Sequence, residues 1–331
     1  MREYNIYDIA QKANVSIATV SRVINNSGRV KPETREKILS VIENTGYMKR
    51  TERHRVFHNS IAVLCSGNVS INSAANIEKL NYNISKAGYK TLLSSADGDI
   101  IEKKRAITLL NKSNIDGIII DANDFFNYSD EENEELIKVI KKPAMIINGS
   151  FFGETTGCVV NDLEKAASEI SYSMIKSDKK NIMFIFDKMT YGVKAILKGI
   201  HSTFSLYNYD IDPDFSKMCK NISQTEKAIS TLIDKSKLPD LIITSNDILA
   251  GGAMKIIAKY GCHIPDDIQI LSFGNSKICE IMTPCISSFD MKNEDVCKTA
   301  VAGLINIINK NEFPSKVTIL PELIKRESTN F

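Results

Sequence analysis

Apolar positions change their spacing along the chain, and the change divides it. From Asn5 to Ile42 they recur three and four residues apart, the period of amphipathic helices. Ile6, Ile9, Ala10 and Ala13 mark a first short helix entered at Asn5, with Asp8 three residues on as its capping partner. Asn14 suits a left-handed turn, Val15 is apolar, and Ser16 caps a second helix from Ile17 to Ile24. Two helices joined so tightly form a helix-turn-helix, in which Ala10 allows close approach and Val15 and Val20 pack beneath the crossing. Past a connection from Asn25 to Lys31, Pro32 opens a third helix whose Ile38, Leu39 and Ile42 face inward and which Gly46 ends.

From Ile61 the pattern becomes short apolar runs alternating with helical stretches. Strands are predicted at 61–65, 90–95, 117–121, 144–148, 182–186, 241–245 and 268–273. Amphipathic helices are predicted at 74–87, 101–113, 162–176, 192–206, 224–235, 247–260 and 292–309. Such alternation predicts an α/β class, with doubly wound parallel sheets covered by helices on both faces, and ligands bound beyond the carboxyl ends of the strands.

Charge sharpens the division. Residues 1–60 hold 11 Lys/Arg against 6 Asp/Glu, a net of +5, so the rest of this +2 chain carries −3. A basic helical head on a weakly acidic body is what a nucleic-acid-binding module joined to a second function produces. With Val20, Val23 and Ile24 turned inward, the second helix presents Ile17, Ala18, Ser21, Arg22 and Asn25. Arg22 has the fork that reads guanine O6 and N7, and Ile17 and Ala18 suit a thymine methyl. Tyr7, Ser16, Thr19, Ser21 and Lys31 suit phosphates, which fix register without reading sequence.

Other chemistry is not indicated. The seven cysteines are scattered, without CxxC spacing, so neither a zinc site nor a disulfide framework is expected. No GxGxxG or GxxxxGK[ST] motif occurs, so no cofactor is expected. No nucleophile and base pair accompanies Asp121, Lys194 or Asp247, and an enzyme is not expected. Without a signal-peptide h-region or an apolar run long enough to span a bilayer, the chain is expected in the cytoplasm.

The run NIYDIAQKANVSIATVSRVINNSGRVKPETREKILSVIENTGY resembles the head of the LacI family of bacterial regulators over nearly its whole length. That resemblance implies base reading by Ile17, Ala18 and Arg22 and backbone contacts by Tyr7, Ser16, Thr19, Asn25 and Tyr47. Relatives continue with a Pro-Asn pair and an Ala-Arg-x-Leu hinge helix; here the sequence is MKRTERHRVFHNS. Lys49, Arg50, Arg53 and Arg55 then form a phosphate-contacting arm, an atypical hinge with Val56 or Phe57 as wedge, or a plain tether. The resemblance divides the chain into a head at 1–48, a linker at 49–60 and a body at 61–331. Within the body, one subdomain takes about 61–160 and 291–320 and the other about 161–290 and 321–331.

The body is similar to the family's periplasmic-binding-protein fold through KAGYKTLLSSADGD, IDGIII, LPDLIITSNDILAGGAMKIIAKYG, HIPDDIQILSFG, TPCISSF and LPELIKREST. Its cleft departs from the sugar-binding pattern. Ser70-Ile71-Asn72-Ser73 replaces an aromatic platform, Asn148 and Gly274-Asn275 stand where acids are usual, and Ile196 replaces an arginine, with Lys194 nearby. Candidate effector contacts are Ser73, Asn148, Lys194, Asn246, Asp247 and Asn275, although Asn246 equally suits a plain helix cap. Loss of several bidentate contacts disfavours a free hexose; a different small molecule, a protein corepressor and a vestigial cleft stay open. The expected whole is a repressor that binds a pseudo-palindromic double-stranded operator as a homodimer under control of an effector. An architectural DNA-binding protein that senses nothing is the strongest rival.

Overall fold

The computed structural model describes residues 4–24, 27, 30–45, 59–67, 71–126, 129–151, 153, 156–235 and 237–331. It divides into two compact units, Met1–His58 and Asn59–Phe331.

In the first unit the helices are α1 (Ile6–Ala13), α2 (Ile17–Ile24) and α3 (Pro32–Thr45). Asn5 and Asp8 close a reciprocal capping box: the Asn5 side chain accepts from the Tyr7 and Asp8 N–H groups at 2.9 and 3.1 Å, and Asp8 accepts from the Asn5 N–H at 2.7 Å. Asn14 ends α1 in the left-handed region at φ 52°, and the Val15 N–H donates to the Ala10 carbonyl at 3.0 Å. Ile9, Ala10, Ala13, Val20, Val23 and Ile38 form the core, with Val41 and Ile42 packed against it. Leu39, expected inside, is 47% exposed. Helical phase explains the correction: from Ile38 the inward face continues at Val41 and Ile42, three and four residues on, while position 39 is rotated by about 100°.

The second unit contains two six-stranded sheets. The first is built from β1 (Ser60–Cys65), α4 (Ile71–Lys86), β2 (Lys90–Ser95), α5 (Ile100–Lys112), β3 (Gly117–Asp121), α6 (Ala122–Phe125), α7 (Asp130–Val139), β4 (Ala144–Ile147) and β5 (Thr156–Asn161). The chain then crosses into α8 (Leu163–Lys176), β6 (Ile182–Phe186), α9 (Tyr191–Leu206), β7 (Ser216–Met218), α10 (Ile222–Asp234), β8 (Leu241–Thr244), α11 (Asp247–Lys259), β9 (Gln269–Phe273), α12 (Ile278–Ile281) and β10 (Ser287–Asp290). It returns through α13 (Asn293–Ile308) to β11 (Lys316–Ile319), and crosses once more to β12 (Glu322–Ile324).

Strand order is β11-β5-β4-β3-β1-β2, all parallel, and β12-β10-β9-β8-β6-β7, parallel except that β12 runs against β10. The central strands bury both faces, which is why they read as unbroken apolar runs rather than as alternation. Ala62, Leu64, Ile118, Ile120 and Ile146 pack on one side of the first sheet, and Ile61, Val63, Ile119, Met145 and Ile147 on the other.

The three crossings are short and hydrogen-bonded together. Asn161 donates through Nδ2 to the Met291 carbonyl at 2.7 Å, and the Asp162 N–H donates to the Ile319 carbonyl at 3.0 Å. No helix among the described residues is long and apolar enough to cross a membrane.

Candidate nucleic-acid interface and ligand cleft

The tight turn after Asn14 fixes which side of α2 is buried. Val20 is fully buried and Val23 nearly so, leaving Ala18 and Arg22 exposed and Ile17 40% exposed. Ser16 accepts from the Thr19 N–H at 3.2 Å and lies 2.8 Å from the Thr19 hydroxyl, so the first turn is capped and presents two hydroxyls. Tyr7 is 66% exposed on α1, Lys31 is exposed just before α3, and Ser21 is half-buried. The structure therefore gathers Ser16, Ile17, Ala18, Thr19, Ser21 and Arg22 on one short helix. Asn25, Tyr47, Arg53 and Arg55 lie outside the described residues, as do Lys49, Arg50, Val56 and Phe57.

The second unit holds a cavity of about 800 Å³ at the carboxyl ends of its second sheet. After β6 come Asp187, Lys188 and Thr190; after β7, Lys220, Asn221 and Ile222; after β8, Ser245, Asn246, Asp247 and Ile248. Asn123 of α6 reaches it from the first half, while Leu163, Val193, Ile196, Phe273, Ile278 and Met291 make much of the wall apolar. Thr190, Asn221 and Asn246 each cap a helix that starts at the wall, accepting from the Val193, Gln224 and Leu249 N–H groups.

Asp247 is on the wall but fully engaged. Its carboxylate accepts from the Ser272 hydroxyl at 2.5 Å, the Ser276 N–H at 2.7 Å and the Ser288 hydroxyl at 3.2 Å. Gly274 makes this possible: at φ +152°, a Cβ there would lie 2.7 Å from Asp247 Oδ2. Burial, and then the Asp247 charge, pushes the neighbouring Cys279 thiol up to about 11.

Of the other expected effector contacts, Asn246 lines the cavity. Asn275 does not; its Oδ1 accepts from Arg326 at 2.8 Å and its N–H donates to Ser288 at 3.0 Å. Lys194 is exposed on α9 and off the wall, where Lys188 and Lys220 stand instead. Ser73 is buried at the start of α4.

Asn148, in the left-handed region at φ 61°, donates to Asp121 Oδ1 at 2.9 Å. Asn76 supplies a longer contact of 3.4 Å to the other oxygen, and its own Oδ1 has no hydrogen-bond partner among the described residues. Burial raises the Asp121 carboxyl above the ordinary range, against the pull of these donors and of Lys188. Burial lowers Lys188, and Asp121 opposes that.

A raised folded-state value means that folding favours neutral Asp121. Its contribution is fully present below the unfolded pKa and is lost as pH rises through the folded one. Asp121→Asn removes that cost and offers an N–H₂ to Asn76 Oδ1. The melting temperature of the variant relative to wild type is expected to rise between pH 4 and pH 7 in calorimetry; a gain for wild type over that range would refute the assignment.

The sequence reading passed over Asp187, Lys188, Lys220, Asn221 and Ser245. Asp187, Lys188 and Ser245 share one signal, a position at the end of an apolar run, where open sheets gather ligand contacts; Lys220 and Asn221 follow the short mixed strand β7. Among the described residues no group of His, Cys, Asp and Glu is placed to hold a metal ion.

Residues 5–49 match the bacterial regulatory proteins, lacI family, and residues 174–329 match the periplasmic binding protein-like domain. The chain is 29% identical to an HTH-type transcriptional regulator of Lachnoclostridium phytofermentans, over 99% of this chain and 100% of that protein. It is 27% identical to catabolite control protein A of Staphylococcus xylosus over 98% of both. Its fold is similar to the crystal structure of the lac repressor dimer bound to operator and the anti-inducer ONPF, with a TM-score of 0.77, 17% identity and 99% of each chain covered. The chain thus joins a helical head that matches the lacI family of bacterial regulatory proteins to a body that carries a periplasmic binding protein-like domain, and it is similar over nearly its whole length to bacterial transcriptional regulators.

Proposed function

We propose that the chain is a repressor that binds a pseudo-palindromic double-stranded operator as a homodimer, with its affinity for DNA set by a small molecule held in the cleft. The observation that carries the reading is the division of α2, with Val20 and Val23 buried and Ile17, Ala18 and Arg22 outside. An α-helix with that face free fits a major groove, where an arginine fork distinguishes guanine. Arg22→Ala is expected to cost about 1 to 3 kcal/mol and to relax preference at one guanine per half-site. Binding selections on randomised operators measure this, and an unchanged base preference for the variant would sink the proposal.

The cavity supports the effector half of the reading: about 800 Å³ is ample for a small organic molecule. A thermal-shift screen of the full chain against sugars, sugar phosphates and nucleosides should find compounds that raise the melting temperature by mass action. Active compounds should then change operator affinity. Binding without any change in operator affinity would remove the sensing role and favour a protein corepressor.

The homodimer rests on the free edge of the first sheet. Strand β2 leaves Leu92 and Leu93 36% and 55% exposed, and neighbouring α4 and α5 leave out Tyr82, Ile101 and Leu109. Several exposed large apolar side chains around one strand edge mark an association surface.

A further inference from the structure

Outside the cleft, β7 and α10 enclose a separate hollow of about 480 Å³. Lys217, Lys220, Lys227 and Lys235 line it, and Asp214 is the one carboxylate on its wall among the described residues, a local balance of +3. Residues 61–331 carry −3 as a whole, so the concentration runs against the background. Asp214 is already shared between Lys217 at 3.0 Å and Lys235 at 3.6 Å. Elsewhere in this unit some exposed lysines have acids beside them, as in Lys198 with Glu164, Lys237 with Asp212 and Lys259 with Glu226. Lys220 and Lys227 have no carboxylate on the wall left to meet.

Buried Cys219 and Leu232 close the floor, and the Gln224 and Thr231 side chains add polar atoms. Lys227 and Lys235 are separated by about 12 Å along the axis of α10, at ~1.5 Å per residue. A monoanion offers one charged group to the four lysines of the wall, whereas an ion with several charged groups can meet several of them. The volume lies in the range of small-molecule sites.

We propose that this hollow is a second ligand site, distinct from the cleft, for a small polyanion carrying two or more phosphate groups. Its lysines supply charge-assisted hydrogen bonds to phosphate oxygens, and binding weakens as salt screens exposed charge. Lys220 also lines the cleft, so the test uses lysines that do not.

Inorganic pyrophosphate is the probe, titrated calorimetrically into the full chain, with hydrogen exchange locating the contact. Saturable 1:1 binding and added protection within residues 216–235 are expected. Lys227→Glu with Lys235→Glu should raise the Kd at least tenfold and leave operator binding and the melting temperature unchanged. Lys298→Glu, an exposed lysine on α13, serves as charge control and should leave the Kd within twofold. Protection confined to residues 1–58, or equal losses in the two variants, would overturn the proposal.

Discussion

Replacing Leu93 and Ile101 together by glutamate is expected to convert the proposed dimer into monomers and to weaken operator binding by about 10²- to 10⁴-fold. Both side chains are more than half exposed, Leu93 at 55% on the edge strand β2 and Ile101 at 68% at the start of α5. Neither supports the monomer's core, so the variant should still fold. In the proposed dimer these positions would be desolvated, and a carboxylate buried there without a partner costs several kcal/mol. The loss in DNA affinity is larger than the loss of any one contact. Two joined heads gain the second half-site at a high effective concentration, and two separate chains do not. Analytical ultracentrifugation reads the assembly state and gel shift reads the affinity. A variant that stays dimeric would place the interface elsewhere on the chain.

The second large effect concerns stability. Gly199 of α9 lies against α8, and a Cβ there would meet the Glu164 carbonyl oxygen at 2.3 Å and the Ala167 Cβ at 3.0 Å. The Ser168 hydroxyl also donates to the Gly199 carbonyl at 3.2 Å. Gly199→Ala must push the two helices apart, because the obstructing atom belongs to the backbone and cannot rotate away. Overpacking of this kind costs about 1 to 3 kcal/mol and occasionally more. At roughly 2 to 4 °C per kcal/mol for a domain of this size, calorimetry should show a melting temperature lower by several degrees. Adding Ala167→Gly should not restore it, since the carbonyl stays in place. Full rescue by that second change would show that the side-chain contact alone sets the spacing.

The legible parts of the chain were those in which one period ran long enough to be counted. All three helices of the head were readable because caps coincide with periodic apolar residues: Asn5 before α1, Ser16 before α2 and Pro32 opening α3. Six of the seven strands read in the body are largely apolar runs, since a doubly covered strand must be apolar at nearly every position; the seventh, the edge strand β2, is apolar only at Leu92 and Leu93. Five strands were missed. Ser216–Met218, Ser287–Asp290, Lys316–Ile319 and Glu322–Ile324 are three or four residues long and mix polar with apolar side chains; Thr156–Asn161 is longer and buried, but its apolar run is only Cys158 to Val160. Helix α7 was missed because only Asn133, Leu136 and Ile137 are buried in it, although Ser129 and Glu132 form a capping box that the sequence displays.

At the site, the exposed face of α2 proposed to read DNA was legible because it is local, one helix with one buried side. The cleft was legible only at Asn246 and Asp247, because the rest of its wall collects single residues from the ends of several distant strands. The expected contacts Asn148 and Asn275 show the difference: each has a polar side chain and each is engaged inside its own half, by Asp121 and by Arg326.

The interleaving of the two sheets bears on how the chain is made. Strand β5 in the first sheet pairs with β11, and β10 in the second pairs with β12, so each sheet gains its last strand from residues 316–324. Neither half of the body can close its hydrogen-bonded edge while those residues are still inside the ribosome. The head, whose contacts are all local, can fold during synthesis. A nascent chain should therefore expose a finished DNA-binding module well before it has a finished sensor, and arrest of translation before residue 316 should leave the two sheets open to chaperones together.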